Sequence, residues 1–383
     1  MQCARSAALP VVLVFVSASA ASAQPRPAPY RIDWLGEDFF PHAINDRGRV
    51  VGYRLPRNGG TSALLWEGGT VTDLGPGEGH DINSAGDIVI ARYRPDPVPA
   101  TVLHADGRRT PLPLARPWGA DFRHQYSIND IGVVVGMERY TENGADGRPF
   151  VWDGGAGVTY LDLGLSQQIK YGAGHAVSDA GHVAGWWDTG VAGGGFVVKD
   201  GVATRFGVAA VSVNECGQVL TIDAQVWDND QTTLLDRLPL LPASDKESGV
   251  SQHAGEINNR GEVAGWQEEM FLIDPESGHG TTQRAFVWDP AGGTRDLNAL
   301  MGFDRGEFGE FPLARVTDLN DLGQILGYGS QGAWVLTPVP EPAGAGACVA
   351  LGAATAMQRG KRRRARGQRF STARAMDAAR ACR

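Results

Sequence analysis

One short turn recurs seven times along the chain and restricts the fold more than any other feature. It reads Ile44-Asn45-Asp46-Arg47-Gly48, Ile82-Asn83-Ser84-Ala85-Gly86, Ile128-Asn129-Asp130-Ile131-Gly132 and Val177-Ser178-Asp179-Ala180-Gly181. It continues as Val213-Asn214-Glu215-Cys216-Gly217, Ile257-Asn258-Asn259-Arg260-Gly261 and Leu319-Asn320-Asp321-Leu322-Gly323. An Asn or Ser side chain opens each turn and can cap its own backbone. Glycine closes it three residues later, where a left-handed φ carries no Cβ penalty. This is the chemistry of a type I turn with a following G1 bulge, joining two antiparallel strands. The second strand follows at once, as in Val50-Val51-Gly52, Val134-Val135-Gly136 and Val263-Ala264-Gly265.

Each unit carries a second hairpin. Its apolar strand often ends in Trp, as in Leu64-Leu65-Trp66, Phe150-Val151-Trp152 and Phe286-Val287-Trp288. A Gly/Asp turn follows, and a short strand then ends near Asp-Leu, as in Thr72-Asp73-Leu74-Gly75 and Leu161-Asp162-Leu163-Gly164. Two hairpins give four strands per unit, and no segment sustains a helical apolar period. The turns open at residues 45, 83, 129, 178, 214, 258 and 320, close to the ~40–45 residue period of four-stranded blades. The long last interval holds insertions around 267–283 and 301–315.

The pattern predicts an all-β, seven-bladed β-propeller over residues 30–338. Its seventh unit runs out of chain after three strands, at Trp334-Val335-Leu336. The missing outer strand stands at the other end, in residues 30–36. That N-terminal strand is expected to pair antiparallel with 333–337, closing the ring and removing the exposed edges of an open array. Gly52, Gly136, Gly185, Gly265 and Gly327 form a column that marks close backbone approach. The bulky residues next to them, Tyr53, Met137, Trp186, Trp266 and Tyr328, are expected in the core.

Glycine, at 52 of 383 residues, is about twice its usual ~7%, as a turn-rich chain requires. The chain carries 35 Lys or Arg against 43 Asp or Glu. Ten of those bases and one acid lie from Arg359 onward, and Arg5 is the only charge before residue 24, so residues 24–358 hold 24 against 42, a formal −18. An acidic body without a basic groove argues against nucleic-acid binding. Cys3 lies near the start, Cys348 and Cys382 in the tail and only Cys216 in the body, so the body is expected to carry no disulfide. Residues 1–23 have the order of a secretory signal: Arg5, a short apolar run, then Ala21-Ser22-Ala23 before Gln24. Residues 24–29 are a Pro-rich spacer.

Two stretches resemble known families. The unit Ile-Asn-Asp-x-Gly-x-Val-x-Gly, Ala-Phe-Val-Trp-Asp and Asp-Leu-Gly resembles the extracellular HAF repeat, best over 43–75, 127–164 and 256–297. That resemblance implies a secreted repeat protein and no established reaction. After the body, Pro340-Glu341-Pro342, an apolar run and Lys361-Arg362-Arg363-Arg364 resemble a PEP-CTERM sorting signal. It implies an exosortase-type sorting enzyme as partner, transient membrane contact, and delivery outside a Gram-negative cell or to its surface. On that reading Pro340, Glu341 and Pro342 are the recognition triplet, residues 339–366 the signal and 367–383 a basic disordered tail. The alternative is a Pro-rich linker followed by a basic tail.

No nucleophile elbow, metalloprotease, phosphate-loop or dinucleotide motif occurs, no cofactor is expected, and the metal question is left open. One constellation stands out. His42, His80 and His175 each lie three residues before the opening Asn or Ser of their turns, while His124 and His253 lie five before theirs. In a propeller this junction leads into the innermost strand at the channel mouth. The imidazoles either converge there on a metal or acidic ligand or merely fill loop positions at the rim. Two functional readings follow. One is a surface-associated binding or structural module of the envelope or extracellular matrix, with a glycan or protein partner. The other is a polysaccharide lyase or hydrolase at the channel mouth, using a histidine with Asp81 or Asp121. Propellers host both.

Overall fold

Each Asn or Ser turn folds as its residues dictate. The structure, a computed structural model, describes residues 29–340 except 57–59, 93–99, 115–125, 140–146, 230, 242–248, 275–277, 305 and 307–309. The expected signal, the tail from Glu341, His124 and Asp121 lie outside the described residues. In the first turn the Gly48 amide donates to the Asn45 carbonyl at 2.9 Å, and the Asn45 side-chain oxygen accepts from Arg47 and Arg49 amides at 3.1 and 3.0 Å. The closing glycines take the expected left-handed φ, from 72° at Gly217 and Gly261 to 97° at Gly86.

The hairpins assemble into seven four-stranded antiparallel sheets. Blade 1 runs outward from the channel as Phe40–Ile44, Val50–Arg54, Ser62–Glu67 and Thr70–Pro76. Blades 2 to 6 repeat this order along the chain. Blade 7 takes Arg315–Leu319, Ile325–Gly329 and Gly332–Pro338 from one end of the chain and Tyr30–Gly36 from the other. The expected closure is present: Tyr30 pairs with Pro338, Ile32 with Leu336 and Trp34 with Trp334. A register shift between Trp34 and Gly36 alters one detail, burying Leu35 and leaving Trp34 37% exposed.

The apolar core is divided among the seams. Val89, Val102 and Leu112 of blade 2 pack on Tyr126, Phe150 and Trp152 of blade 3. Six further clusters join the remaining neighbours in the same way, including blade 7 to blade 1 through Leu326, Val335, Ile44 and Leu64.

The turn asparagines also join the blades, which their local chemistry alone did not indicate. Asn45 donates through its side-chain amide to the Asn83 carbonyl at 2.9 Å, Asn83 to Asn129 at 3.1 Å and Asn129 to Ser178 at 2.9 Å. Asn214 donates likewise to Asn258 at 3.1 Å, Asn258 to Asn320 at 3.2 Å, and Asn320 back to Asn45 at 2.9 Å. Blade 4 breaks the series because Ser178 has no amide. There Glu215 of blade 5 reaches back and accepts from the Asp179 and Ala180 amides at 2.6 and 2.7 Å. The next residue of several turns adds a second link between blades, in which Asp130 accepts from the Ser84 amide, Asp179 from Asp130 and Asp46 from Asp321.

A β-bulge interrupts the inner strand above the turn in six blades, for example between Pro41 and Ala43 and between Val316 and Asp318. It accounts for four glycines of the column, Gly52, Gly185, Gly265 and Gly327, whereas Gly136 makes room for the Tyr126 ring. A Cβ on Gly52 would lie 2.1 Å from the Phe40 carbonyl oxygen, and one on Gly327 2.2 Å from that of Arg315. The first insertion lengthens one hairpin of blade 6 into two twelve-residue strands, Val263–Asp274 and Gly278–Asp289. The second begins with a short helix, Leu297–Met301, capped by Asp296. Cys216 corrects an expectation: it is disulfide-bonded. Counting only the body's own cysteines missed it.

Asn129→Ala removes the bond to Ser178 and leaves the Val133 amide, which donates to the Asn129 side chain at 2.8 Å, without its acceptor. Urea unfolding should show a loss of about 2 kcal/mol. Asn129→Ser, which keeps the local cap as Ser178 does, should lose about half of that.

Candidate functional site

The bulges decide what faces the central channel. Each adds a residue to the strand that lines the axis. The extra residues are His42, His80, His175, Val211, Gly255 and Thr317, and the residues after them are Ala43, Asp81, Ala176, Ser212, Glu256 and Asp318. The channel they surround encloses about 450 Å³. The predicted histidines therefore lie within the innermost strands themselves, lining the channel, rather than in the loops before them.

Two of the three stand together. The His42 and His80 rings are 5.2 Å apart, and His80 meets Tyr126 edge-on at 5.5 Å. His42 Nδ1 lies 2.9 Å from the Gly79 carbonyl oxygen. A carbonyl can only accept, so Nδ1 carries the proton and Nε2 is left as the acceptor. Burial lowers the pKa of His42. It lowers that of His80 well below the usual value, and His42 beside it adds to the effect. Both imidazoles are neutral at pH 7. His175 lines the same channel two blades from His80. Among the described residues no three His, Cys, Asp or Glu side chains stand close enough to hold a metal ion.

Lower in the channel, three acids bridge seams. Asp318 of blade 7 accepts from the Ile44 amide of blade 1 at 2.6 Å and from Leu319 at 2.7 Å. Asp81 of blade 2 accepts from the Ile128 amide of blade 3 at 2.8 Å and from Ile82 at 2.7 Å. Glu256 of blade 6 accepts from the Ser212 hydroxyl of blade 5 and from the Ile257 amide at 3.2 Å. Burial pushes Asp81 up to about 6 and Asp318 to about 7, against the pull of their backbone donors. Burial and then the neighbouring Asp318 raise Glu256 well above the carboxylate range.

At the mouth, the expected core column is a collar instead. Met137 is buried at 6% exposure, but Tyr53, Trp186 and Trp266 are half-buried and Tyr328 is 37% exposed. The reason is position. These residues pair with inner-strand residues beyond the bulge on the side away from the turn, Phe40 with Tyr53, His253 with Trp266 and Arg315 with Tyr328. The Phe40 and Tyr53 rings stack at 5.1 Å, His42 and Tyr53 lie 5.2 Å apart, and His253 stacks on Trp266 at 5.0 Å. The Arg315 guanidinium sits 5.6 Å from the Trp266 ring centre. It donates to Gln283 at 2.6 Å and to the Tyr328 hydroxyl at 3.3 Å. Sequence reasoning missed Arg315. The signal available to it was position, since Arg315 occupies the same offset from its turn as Phe40 and His253.

Comparisons with known proteins give shape only. No protein-family model matches the chain, and no curated protein matches it. Among solved structures, YCF48 bound to D1 peptide covers 83% of this chain and 98% of its own, with 10% identity and a TM-score of 0.45. AofleA from Arthrobotrys oligospora covers 70% and 89%, with 9% identity and a TM-score of 0.34. Pyrococcus horikoshii acylaminoacyl peptidase covers 80% and 52%, with 11% identity and a TM-score of 0.40. Likenesses this loose carry no statement about a ligand or a reaction.

The raised carboxyls make stability depend on pH. Asp318 is raised in the fold to about 7 from the ordinary 3.8 of an aspartate, so the folded state holds the proton longer, and its contribution is lost as pH rises toward 7. The lowered His42 and His80 act oppositely below about pH 6.5, so the informative quantity is the difference from a variant. From pH 5 to pH 8, Asp318→Asn should gain on the wild type by on the order of 2 kcal/mol in urea unfolding.

Proposed function

We propose that this chain is a secreted, surface-associated binding module whose ligand enters the channel at the histidine and aromatic mouth. The observation that carries this reading is internal to the repeat. At equivalent backbone positions the turn residues recur from blade to blade, because each performs the same structural task. The channel-facing position is not held to one residue: it is His42, His80 and His175 in three blades but Tyr126, Val211, Gly255 and Thr317 in the others. Side chains that the scaffold does not specify are available for recognition. The partner class this favours is an extracellular glycan, since neutral imidazoles, tyrosines and exposed ring faces suit hydroxyl-bearing ligands better than a charged surface would.

A polysaccharide lyase or hydrolase is the second reading, supported by His80, Tyr126 and Asp81 on adjoining parts of one wall. Asp81 weakens it, because both carboxylate oxygens already accept backbone hydrogen bonds. A glycan-array screen of residues 24–338 tests the binding reading. Retention of a glycan, lost in Tyr53→Ala with the fold intact, is the expected result; no retained glycan, or release of shortened products, rejects it.

The location is a separate proposal, supported by residues 1–23 and the Pro340-Glu341-Pro342 order. If an exosortase-type enzyme reads that triplet, Glu341→Ala should accumulate at the inner membrane. Unchanged surface delivery of the variant refutes a sorting role.

A further inference from the structure

We infer that the mouth recognises a glycan carrying a single uronate at its binding end, with Arg315 as the specificity-determining residue; this rests on the binding reading above. Five adjacent blades contribute rings to one arc around the mouth. It runs from His253 and Trp266 of blade 6, past Tyr328 of blade 7, to Phe40 and Tyr53 of blade 1, then through His42 and His80 to Tyr126 of blade 3. Arg315 stands within it, between Trp266 and Tyr328.

The surroundings prepare that guanidinium for an anion. The long hairpin of blade 6 rises beside it. One face of the hairpin is tied down, with Gln267 hydrogen-bonded to the Leu238 amide and Arg284 paired with Glu269 and Asp296. The residues between them in the strand order, Glu268 and Gln283, face Arg315 instead. Gln283 accepts from its Nε, while Glu268 remains 4.0 Å away, beyond hydrogen-bond distance. Two of five guanidinium N–H donors are engaged, and the side chain is 38% exposed. The remaining donors match a carboxylate, which an arginine binds as a fork.

The charge count argues for one anionic group rather than many. The body from 24 to 358 is formally −18, so a polyanion is repelled. His42 and His80 within the arc are uncharged at neutral pH, because burial lowers both. A pyranose offers such a wall a C–H face for Tyr53 or Trp266 to stack on and hydroxyls for the His42 Nε2 and the tyrosines, while its C5 carboxylate reaches Arg315.

The test titrates the full chain with a neutral oligosaccharide bearing one terminal glucuronate and with its carboxyl-reduced counterpart. The uronate should bind roughly tenfold or more tightly than the reduced form, as loss of a charge-assisted fork implies. Arg315→Gln should erase the preference and keep the weaker, reduced-glycan affinity. Tyr328→Phe, which removes only a hydroxyl, should narrow the preference without altering the melting temperature. Equal affinity for the two glycans, or an undiminished preference in folded Arg315→Gln, overturns this inference and leaves the binding reading standing. Failure to bind either form while another glycan class is retained on the array also overturns it, and failure on every glycan removes both.

Discussion

The structure depends on a side chain that works in two directions at once. The oxygen of each turn asparagine caps its own hairpin, while its amide donates to the carbonyl of the next turn. Each bond contributes only about 1 kcal/mol, far less than the apolar seams. Its importance is geometric. Greasy seams tolerate sliding, but a hydrogen bond from one turn to the next sets the height and rotation of each blade on its neighbour. The last link, from Asn320 to Asn45, joins the two ends of the body on the same side as the turns. The strand exchange between Tyr30–Gly36 and Gly332–Pro338 joins them again on the outer edge.

A scaffold held at its rim and seams leaves the axis open to variation. In six blades a bulge above the turn adds a residue to the channel-lining strand, and in four of them a glycine opposite makes room for the displaced carbonyl. Neither device cares which side chains point inward. Blade 1 can therefore offer a histidine and an alanine where blade 7 offers a threonine and an aspartate. The result is a symmetric backbone around an asymmetric lining: buried acids at the seams below, neutral histidines and aromatic rings above, and one guanidinium at the mouth. Asp81 and Asp318 sit where backbone amides of the next blade point at them, which offsets part of the cost of burying them.

Architecture was legible in the chain because it rests on local chemistry repeated in register. Asn-x-x-Gly dictates a turn with a left-handed glycine, alternating apolar strands follow from β-propensity, and the orphan strand at Tyr30–Gly36 needed the one open edge available. Blade number, strand count and ring closure all come from such arguments. The column of Tyr53, Trp266 and Tyr328 was misread as core because apolar pattern alone cannot say whether a strand end stays inside the sheet or emerges from it. Cys216 was misread because only cysteines within the body were paired.

What the sequence determined by itself was the list of residues at each repeat position, including His42, His80 and His175 three places before their turns. What only the tertiary structure decided was which of them meet. Equal offsets in different blades become neighbours only between adjacent blades, so His42 and His80 stand 5.2 Å apart while His175 lies two blades further round. Arg315 meets Trp266 and Gln283 for the same reason, across a seam that brings together residues far apart in the chain. Local sequence fixes a residue's height on its blade, but the angle around the axis comes from how the blades pack.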